Sequence, residues 1–149
     1  MTGVAAEREQ AIRDFLYNAG WETAERRPLA GDASTRRYER LSRPGPRGTE
    51  RAILMDAPRR PDGPPVFDGL PYSALAHLAE DVRPFVAIGN ALRAAGLSAP
   101  ELFAADLDRG LLLIEDLGDA GYGPAIDAGQ GPRGETLDEL YAASIDVLA

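Results

Sequence analysis

The sequence contains no cysteine and no lysine, and its 149 residues include a single histidine, His77. Without cysteine the chain can form neither disulfide bonds nor thiolate metal sites, and this composition is typical of proteins in the reducing cytoplasm. One histidine cannot supply the ligand clusters that zinc and copper sites use. Because His77 lies between apolar residues of a helical segment, we interpret it as a packed or surface side chain rather than a catalytic base.

Long apolar runs are also absent, since no segment reaches the roughly 18 apolar residues of a membrane span. Residues 1–10 are charged and lack the apolar core of a signal peptide. We therefore expect a cytoplasmic protein that does not bind membranes. The net charge of −8 argues against nucleic-acid binding, which requires clustered basic residues. The chain has three pairs of adjacent arginines, at 26–27, 36–37 and 59–60, and their local positive charge could bind a small anion.

Apolar periodicity and turn residues predict an α+β domain with an antiparallel sheet, because the strands follow one another mainly as hairpins. We expect Asp81 to cap the helix that begins near Pro84, since proline is tolerated in a first turn. The predicted elements are a helix at 7–19, a hairpin within 23–41, a turn at 44–48, a strand at 51–55, an exposed loop at 58–71, a helical stretch at 72–95 divided at Pro84, strands at 102–105 and 111–114, a loose linker after Gly118 and a helix at 136–148.

The last predicted helix has a strong apolar stripe that includes Leu140, Tyr141 and Ile145. A stripe of this kind needs a partner surface, and it continues almost to residue 149 without a cap. We therefore expect the chain to continue as part of a longer protein. We also expect that the exposed apolar faces can make the isolated piece dimerise.

Two segments are candidates for chemistry. The first is the predicted turn around Gly31, where backbone N–H groups can approach a phosphate and nearby hydroxyl and arginine side chains can assist; an ordinary hairpin turn explains the same residues. The second is the apolar strand 111–114 followed by Glu115 and Asp116, whose backbone groups could meet a flat heterocycle. A strand end with solvated carboxylates is the alternative, and nothing else in the sequence favours a glycosidase or a metal site.

Four segments of the chain are informative together: 29–38 (LAGDASTRRY), 53–58 (ILMDAP), 83–88 (RPFVAI) and 112–119 (LLIEDLGD). They resemble the N-terminal part of aminoglycoside-phosphotransferase-like kinases, nearest the bacterial amino-sugar kinases that act on N-acetylmuramate and N-acetylglucosamine. The resemblance implies a protein-kinase-like small lobe, with a sheet of about five strands and one long helix, at residues 1–117. It implies that residues 118–149 are a hinge, a linker and the first helix of a C-terminal lobe.

The resemblance also implies that ATP and Mg²⁺ are cofactors and that ATP lies between two lobes. The residues implied to bind the nucleotide fall into three groups. The loop over the phosphates and the arginines after it are Gly31, Asp32, Ala33, Ser34, Thr35, Arg36 and Arg37. The third strand contributes Met55, and the connector after the last strand contributes Glu115, Asp116 and Leu117. The adenine edge is expected to bond to the Glu115 C=O and the Leu117 N–H.

Two departures from the family pattern affect these expectations. Kinases of this fold carry a phosphate-binding lysine on the third strand, where this sequence has Met55, and we hypothesise that Arg36 or Arg37 replaces it. A His-x-Asp-x-x-x-x-Asn-like catalytic loop and Mg²⁺ ligands are absent. We therefore expect no catalytic or metal-binding residue in this chain and an acceptor bound by the missing lobe. The alternatives are a non-enzymatic module that docks a partner through its last helix, and an unrelated α+β domain.

Overall fold

A computed structural model gives the fold and describes residues 2–30, 36–59, 63–71, 75 and 81–148. The chain divides into two compact units between Asp116 and Leu117.

The first unit is built on an antiparallel sheet of five strands. Its strands, with a separate two-stranded hairpin formed by β4 and β5, are β1 (Glu25–Pro28), β2 (Arg37–Gly45), β3 (Gly48–Asp56), β4 (Pro65–Phe67), β5 (Leu70–Pro71), β6 (Leu102–Asp106) and β7 (Leu111–Glu115). The large sheet has the order β1-β2-β3-β7-β6, and every neighbouring pair is antiparallel. This confirms the predicted α+β class, the five-stranded antiparallel sheet and the antiparallel strand pairs β1–β2 and β6–β7 of the predicted hairpins. The predicted turn around Gly31 lies outside the described residues.

Helix α1 (Thr2–Asn18) covers one side of this sheet, which we call the α1 face. Its apolar residues recur at three-to-four spacing and pack with the inward side chains of the strands. The buried cluster on this face consists of Ile12, Phe15, Leu16, Trp21, Leu41, Ala52, Leu54, Leu111 and Leu113. The predicted helix is confirmed, and it begins five residues before the predicted start.

Helix α2 (Arg83–Ala94) begins on the opposite side of the sheet, which we call the α2 face. Val82, Phe85 and Val86 pack there against a buried cluster that includes Met55 and Leu112. Pro84 lies in the first turn, as predicted. The helix cap is Val82 rather than Asp81, although the Asp81 carboxylate accepts a hydrogen bond from the Arg83 N–H at 2.8 Å. In the preceding part of this stretch Leu75 is helical, and the position of His77 lies outside the described residues.

Two predicted coil segments contain regular structure, so those predictions were wrong. Within 58–71, β4 and β5 form a hairpin around Asp68 and Gly69, whose φ angles of 47° and 75° are the positive values that a tight two-residue hairpin turn requires. In the second unit, α3 (Tyr122–Ala128) interrupts the predicted linker.

The second unit also contains α4 (Leu137–Leu148), which confirms the last predicted helix. Thr136 and Glu139 form a reciprocal cap at its start: the Glu139 carboxylate accepts from the Thr136 N–H at 2.8 Å, and the Thr136 hydroxyl accepts from the Glu139 N–H at 3.3 Å. The Tyr122 hydroxyl donates to the Leu140 carbonyl at 2.8 Å and thereby joins α3 to α4.

Candidate functional site

The sequence-predicted site residues are distributed between the start of β2, the end of β3 and the end of β7. Gly31, Asp32, Ala33, Ser34 and Thr35 lie outside the described residues. Arg36 is half-buried and directly precedes β2, and Arg37 is the first residue of that strand. The structure therefore brings Arg36, Arg37 and Met55 into one region, because β2 and β3 are adjacent.

Strand alternation places Arg37 on the α1 face of the sheet. Arg37 is paired with Asp56, whose side chain contacts α1, whereas the next pair, Tyr38 and Met55, belongs to the buried cluster of the α2 face. Because successive side chains of a strand point to opposite faces, Arg37 belongs to the α1 face and Tyr38 to the α2 face. Arg36 directly precedes the strand.

Met55 has no exposed surface. It is part of the α2-face cluster with Ile53, Leu112 and Val82. Met55, which the resemblance implies to stand at the kinase lysine position, is therefore an apolar side chain in a closely packed core.

Asp56 is the buried charged residue of the sheet, with 3% of its surface exposed. One carboxylate oxygen accepts from Arg8 Nε at 2.9 Å and Arg8 Nη2 at 2.6 Å, and the other accepts from Arg37 Nη2. The Arg8 guanidinium also donates to the Arg109 carbonyl at 2.7 Å. A buried carboxylate is stabilised when it is paired with cations and hydrogen-bonded in this way. Asp56 thus joins α1, the start of β2 and the turn between β6 and β7.

Arg40 on β2 and Asp116 after β7 form a second ion pair, on the α2 face. Arg40 Nε lies 2.8 Å from one carboxylate oxygen of Asp116, and Arg40 Nη2 donates to the other at 3.2 Å. Only 5% of the Asp116 side chain is exposed. The pair spans β3, so it ties the segment that follows β7 to β2.

Glu115 and Leu117 lie on either side of Asp116 in the chain but have different surroundings. The Glu115 N–H donates to the Glu101 carbonyl at 2.8 Å, and the Glu115 carboxylate accepts from the Glu101 N–H at 3.0 Å. Leu117 is 56% exposed and begins the second unit.

A third polar cluster lies on the α1 face around Arg26. This side chain donates to Glu39 at 2.6 Å and to Glu9 at 2.6 Å. Hydrogen bonds to Glu39 and Glu9 raise the pKa of Arg26, and the hydrogen bond from Arg26 lowers the pKa of Glu9. The cluster fastens α1 to β1 and β2.

No group of three or more histidine, cysteine, aspartate or glutamate side chains in the described ranges could hold a metal ion. Across those same ranges, no helix combines the length and the apolar character needed to cross a membrane.

Comparison with known proteins shows relatives that share one name. Almost the whole chain, 97%, matches an N-acetylmuramate/N-acetylglucosamine kinase of Caulobacter vibrioides with 44% identity. Proteins of the same name from Pseudomonas aeruginosa and Pseudomonas putida match 94% of the chain with 34% and 32% identity. No protein-family model matches the chain.

These relatives support the amino-sugar kinase branch of the resemblance, whereas the wider aminoglycoside phosphotransferase family stays a prediction. The chain spans 40% of the length of the Caulobacter protein and 34% of each Pseudomonas protein.

Sequence reasoning missed the roles of Arg8, Arg40 and Asp56. Asp56 did carry a signal, because a carboxylate that directly follows the apolar strand 52–55 is expected to be buried and to need a cation. Its partner Arg8 is 48 positions away, and Arg40 is 76 positions from Asp116. Neither pairing has a local sequence signature.

Proposed function

We propose that this chain is the ATP-binding N-terminal lobe of a longer small-molecule phosphotransferase that phosphorylates a hydroxyl of a sugar or amino sugar. The observation that carries this proposal is the 44% identity over 97% of the chain to a protein named N-acetylmuramate/N-acetylglucosamine kinase. Those two amino sugars are the first acceptors to test.

The topology of the first unit supports a kinase-like small lobe. The resemblance implies five strands and one long helix, and the large sheet has five antiparallel strands with α2 between its third and fourth strands in chain order. The last of these strands, β7, leads directly into the segment that we propose as the hinge.

The adenine base would bind on the α2 face near the end of β7. Ile53 and Ile114 are paired in register on neighbouring strands, with 8% and 6% of their surface exposed, and would form the apolar floor beneath the base. The Glu115 C=O and the Leu117 N–H would recognise the edge of the base. The Arg40–Asp116 pair would hold this segment in place without contacting the base itself.

The phosphates would be held by backbone groups of residues 31–35 and by the guanidinium of Arg36. Arg36 directly follows residues 31–35 in the chain, whereas the Arg37 guanidinium is hydrogen-bonded to Asp56 on the α1 face, so we assign the phosphate contact to Arg36. A guanidinium can bind phosphate oxygens in a bidentate manner, which would compensate for the absent lysine. Bound Mg²⁺ would neutralise phosphate charge, and we assign its ligands to no residue of this chain.

In the complete protein, the acceptor hydroxyl oxygen would form a bond to the γ-phosphorus as the bond to the β,γ-bridging oxygen breaks. The products would be ADP, the sugar phosphate and the proton released from the hydroxyl. The groups that orient the acceptor would lie outside this chain, so its residues contribute nucleotide binding only.

ATP titration of the complete protein tests the phosphate assignment. We expect Arg36→Ala to weaken ATP binding about ten-fold or more, because a charged hydrogen bond contributes roughly 1.5–3 kcal/mol. Arg27→Ala is the matched control, since Arg27 is also an arginine of this hairpin but is 73% exposed and paired with Glu25. Equal ATP affinities of wild type and Arg36→Ala would refute the assignment.

The second candidate function is a module that docks a partner through α4. The exposed fractions of Tyr141 and Ile145, 49% and 66%, favour it, because apolar side chains of this size are commonly covered at an interface. A stable complex that protects α4 and persists in a variant unable to bind ATP would support this function over the first.

A further inference from the structure

Asp56 forms an ion-pair network that the proposed nucleotide contacts do not use. Its carboxylate is buried at the end of β3 and accepts from Arg8 with one oxygen and from Arg37 with the other. Only 17% of the Arg8 side chain is exposed, and its guanidinium is further fixed by the Arg109 carbonyl. Arg8 and Asp56 therefore form the buried part of the network, and Arg37 is the exposed member that directly follows Arg36 in the chain.

The orientation of Arg37 depends on this network more than on packing. The Arg37 side chain is 69% exposed, so apolar contacts contribute little to holding it. Arg37 is directly opposite Asp56 in the β2–β3 register. The backbone carbonyl of the next residue, Tyr38, accepts a hydrogen bond from the Leu29 N–H at 2.9 Å. The contact with Asp56 thus lies at the first register pair of β2, directly after Arg36.

We propose that Asp56 is a positioning residue for the nucleotide phosphates and that it acts through Arg37. This inference depends on the proposed function. Arg36 is the residue directly before Arg37, so fixing Arg37 fixes the backbone from which the Arg36 guanidinium extends. Asp56 contacts no phosphate itself, because it lies on the α1 face, away from the proposed nucleotide site.

This role predicts different effects on the two parts of the nucleotide. The adenine contacts are assigned to the end of β7, whereas the phosphate contacts are assigned to the start of β2. Loss of the Asp56 charge should therefore weaken binding of ATP while leaving adenosine, which has no phosphates, unaffected. A residue that only stabilised the fold would change both affinities together.

The test uses the complete protein with Asp56→Asn, an isosteric change that removes the negative charge. We expect the KM for ATP to rise about ten-fold, since one charge-assisted hydrogen bond is lost, while the inhibition constant of adenosine changes less than about two-fold. The Leu29 N–H, which donates to the Tyr38 carbonyl next to the β1–β2 ladder, should exchange its hydrogen faster in Asp56→Asn than in wild type. Arg37→Met should give the same pattern, and its exposed position makes misfolding a small risk.

Glu9→Gln is the matched control, because it also weakens an ion pair between α1 and the sheet, with Arg26 at 2.6 Å, but at a site that does not hold the start of β2. An unchanged KM for ATP in both Asp56→Asn and Arg37→Met would overturn the inference. Equal losses of ATP and adenosine binding, or the same pattern in Glu9→Gln, would also overturn it, because a general loss of stability would then suffice.

Failure of the proposed function has a separate signature. In that case the wild-type protein would consume no ATP with any amino-sugar acceptor and would bind neither ATP nor adenosine, and the inference would fail with it. Faster Leu29 exchange in Asp56→Asn would then show a purely structural contact.

Discussion

The family resemblance implies that Met55 stands at the position of the kinase lysine, so the change Met55→Lys tests whether that position faces a nucleotide or a core. The side chain has no exposed surface and lies among apolar residues of the α2-face cluster. An ammonium at this position would have no water and no carboxylate of the Asp56 network, which lies on the other face of the sheet. We expect the variant to be strongly destabilised.

The size of the loss follows from the desolvation of the new charge. Full burial lowers the pKa of a lysine by up to about 3–5 units, from an unperturbed value of about 10.4. If it falls to about 6.5, the free energy of unfolding decreases by about 4–5 kcal/mol at pH 7. That is a large share of the roughly 5–15 kcal/mol that stabilises a typical domain. Because the lowered pKa belongs to the folded state, the penalty shrinks as pH rises towards 10.4, to about 2 kcal/mol at pH 9.

Urea unfolding of wild type, Met55→Lys and the control Met55→Leu at pH 7 and pH 9 measures this effect. The volume-conserving Met55→Leu should cost less than about 1.5 kcal/mol at both pH values. If Met55→Lys unfolds at the same urea concentration as wild type at pH 7, the position has access to solvent or to a bound anion. That result would refute the assignment of Met55 to a closed core.

Three further predictions concern the backbone, an ion pair and a helix cap. Gly110 has a φ of +64° and an added Cβ would overlap a neighbouring carbonyl, so Gly110→Ala should lower the free energy of unfolding by about 3 kcal/mol in urea titrations. The same change at Gly96, with a φ of +81° but open space around it, should cost about 1 kcal/mol, and equal losses would contradict the steric reasoning. Asp116→Ala should cost about 2–3 kcal/mol, and a double-mutant cycle that also replaces its arginine partner with Met should show coupling rather than additive losses. Thr136→Ala should lower the local stability of α4 by about 1 kcal/mol in amide-exchange measurements, whereas an unchanged exchange rate would show that the cap is dispensable. Hydrogen bonds from Thr136 lower the pKa of Glu139, so protection of α4 should be complete above the ordinary glutamate pKa and should fall as pH drops through the lowered value.

Most of the larger elements could be predicted because their signals are local. The three-to-four spacing in α1, the turn between β2 and β3, and the β6–β7 hairpin each depend on residues close together in the chain. Pro84 likewise marks the first turn of α2 through its own stereochemistry.

The elements that were missed are short or unusual in composition. Strands β4 and β5 have three and two residues, too few for an alternating pattern, and the Asp68–Gly69 turn was the available signal. Helix α3 has seven residues, including a glycine and a proline, so its composition indicates a coil.

The candidate site was predicted only as far as the resemblance extended. It identified Arg36, Arg37 and Met55 as a group, and strand pairing brings them together. The sequence could not show that Arg37 pairs with Asp56, because that partner is 19 positions away and meets Arg37 only once β2 and β3 are paired. Contacts between residues so far apart in the chain depend on the completed sheet.

The most direct test of the central proposal is an ATP-dependent phosphorylation assay of the complete protein with N-acetylmuramate and N-acetylglucosamine, followed by mass spectrometry of the sugar. We predict that a sugar phosphate and ADP form in equal amounts, and that both decrease in Arg36→Ala but not in Arg27→Ala. If the folded protein produces no phosphorylated sugar from either acceptor and binds no ATP, the account of this chain as a nucleotide-binding lobe is contradicted.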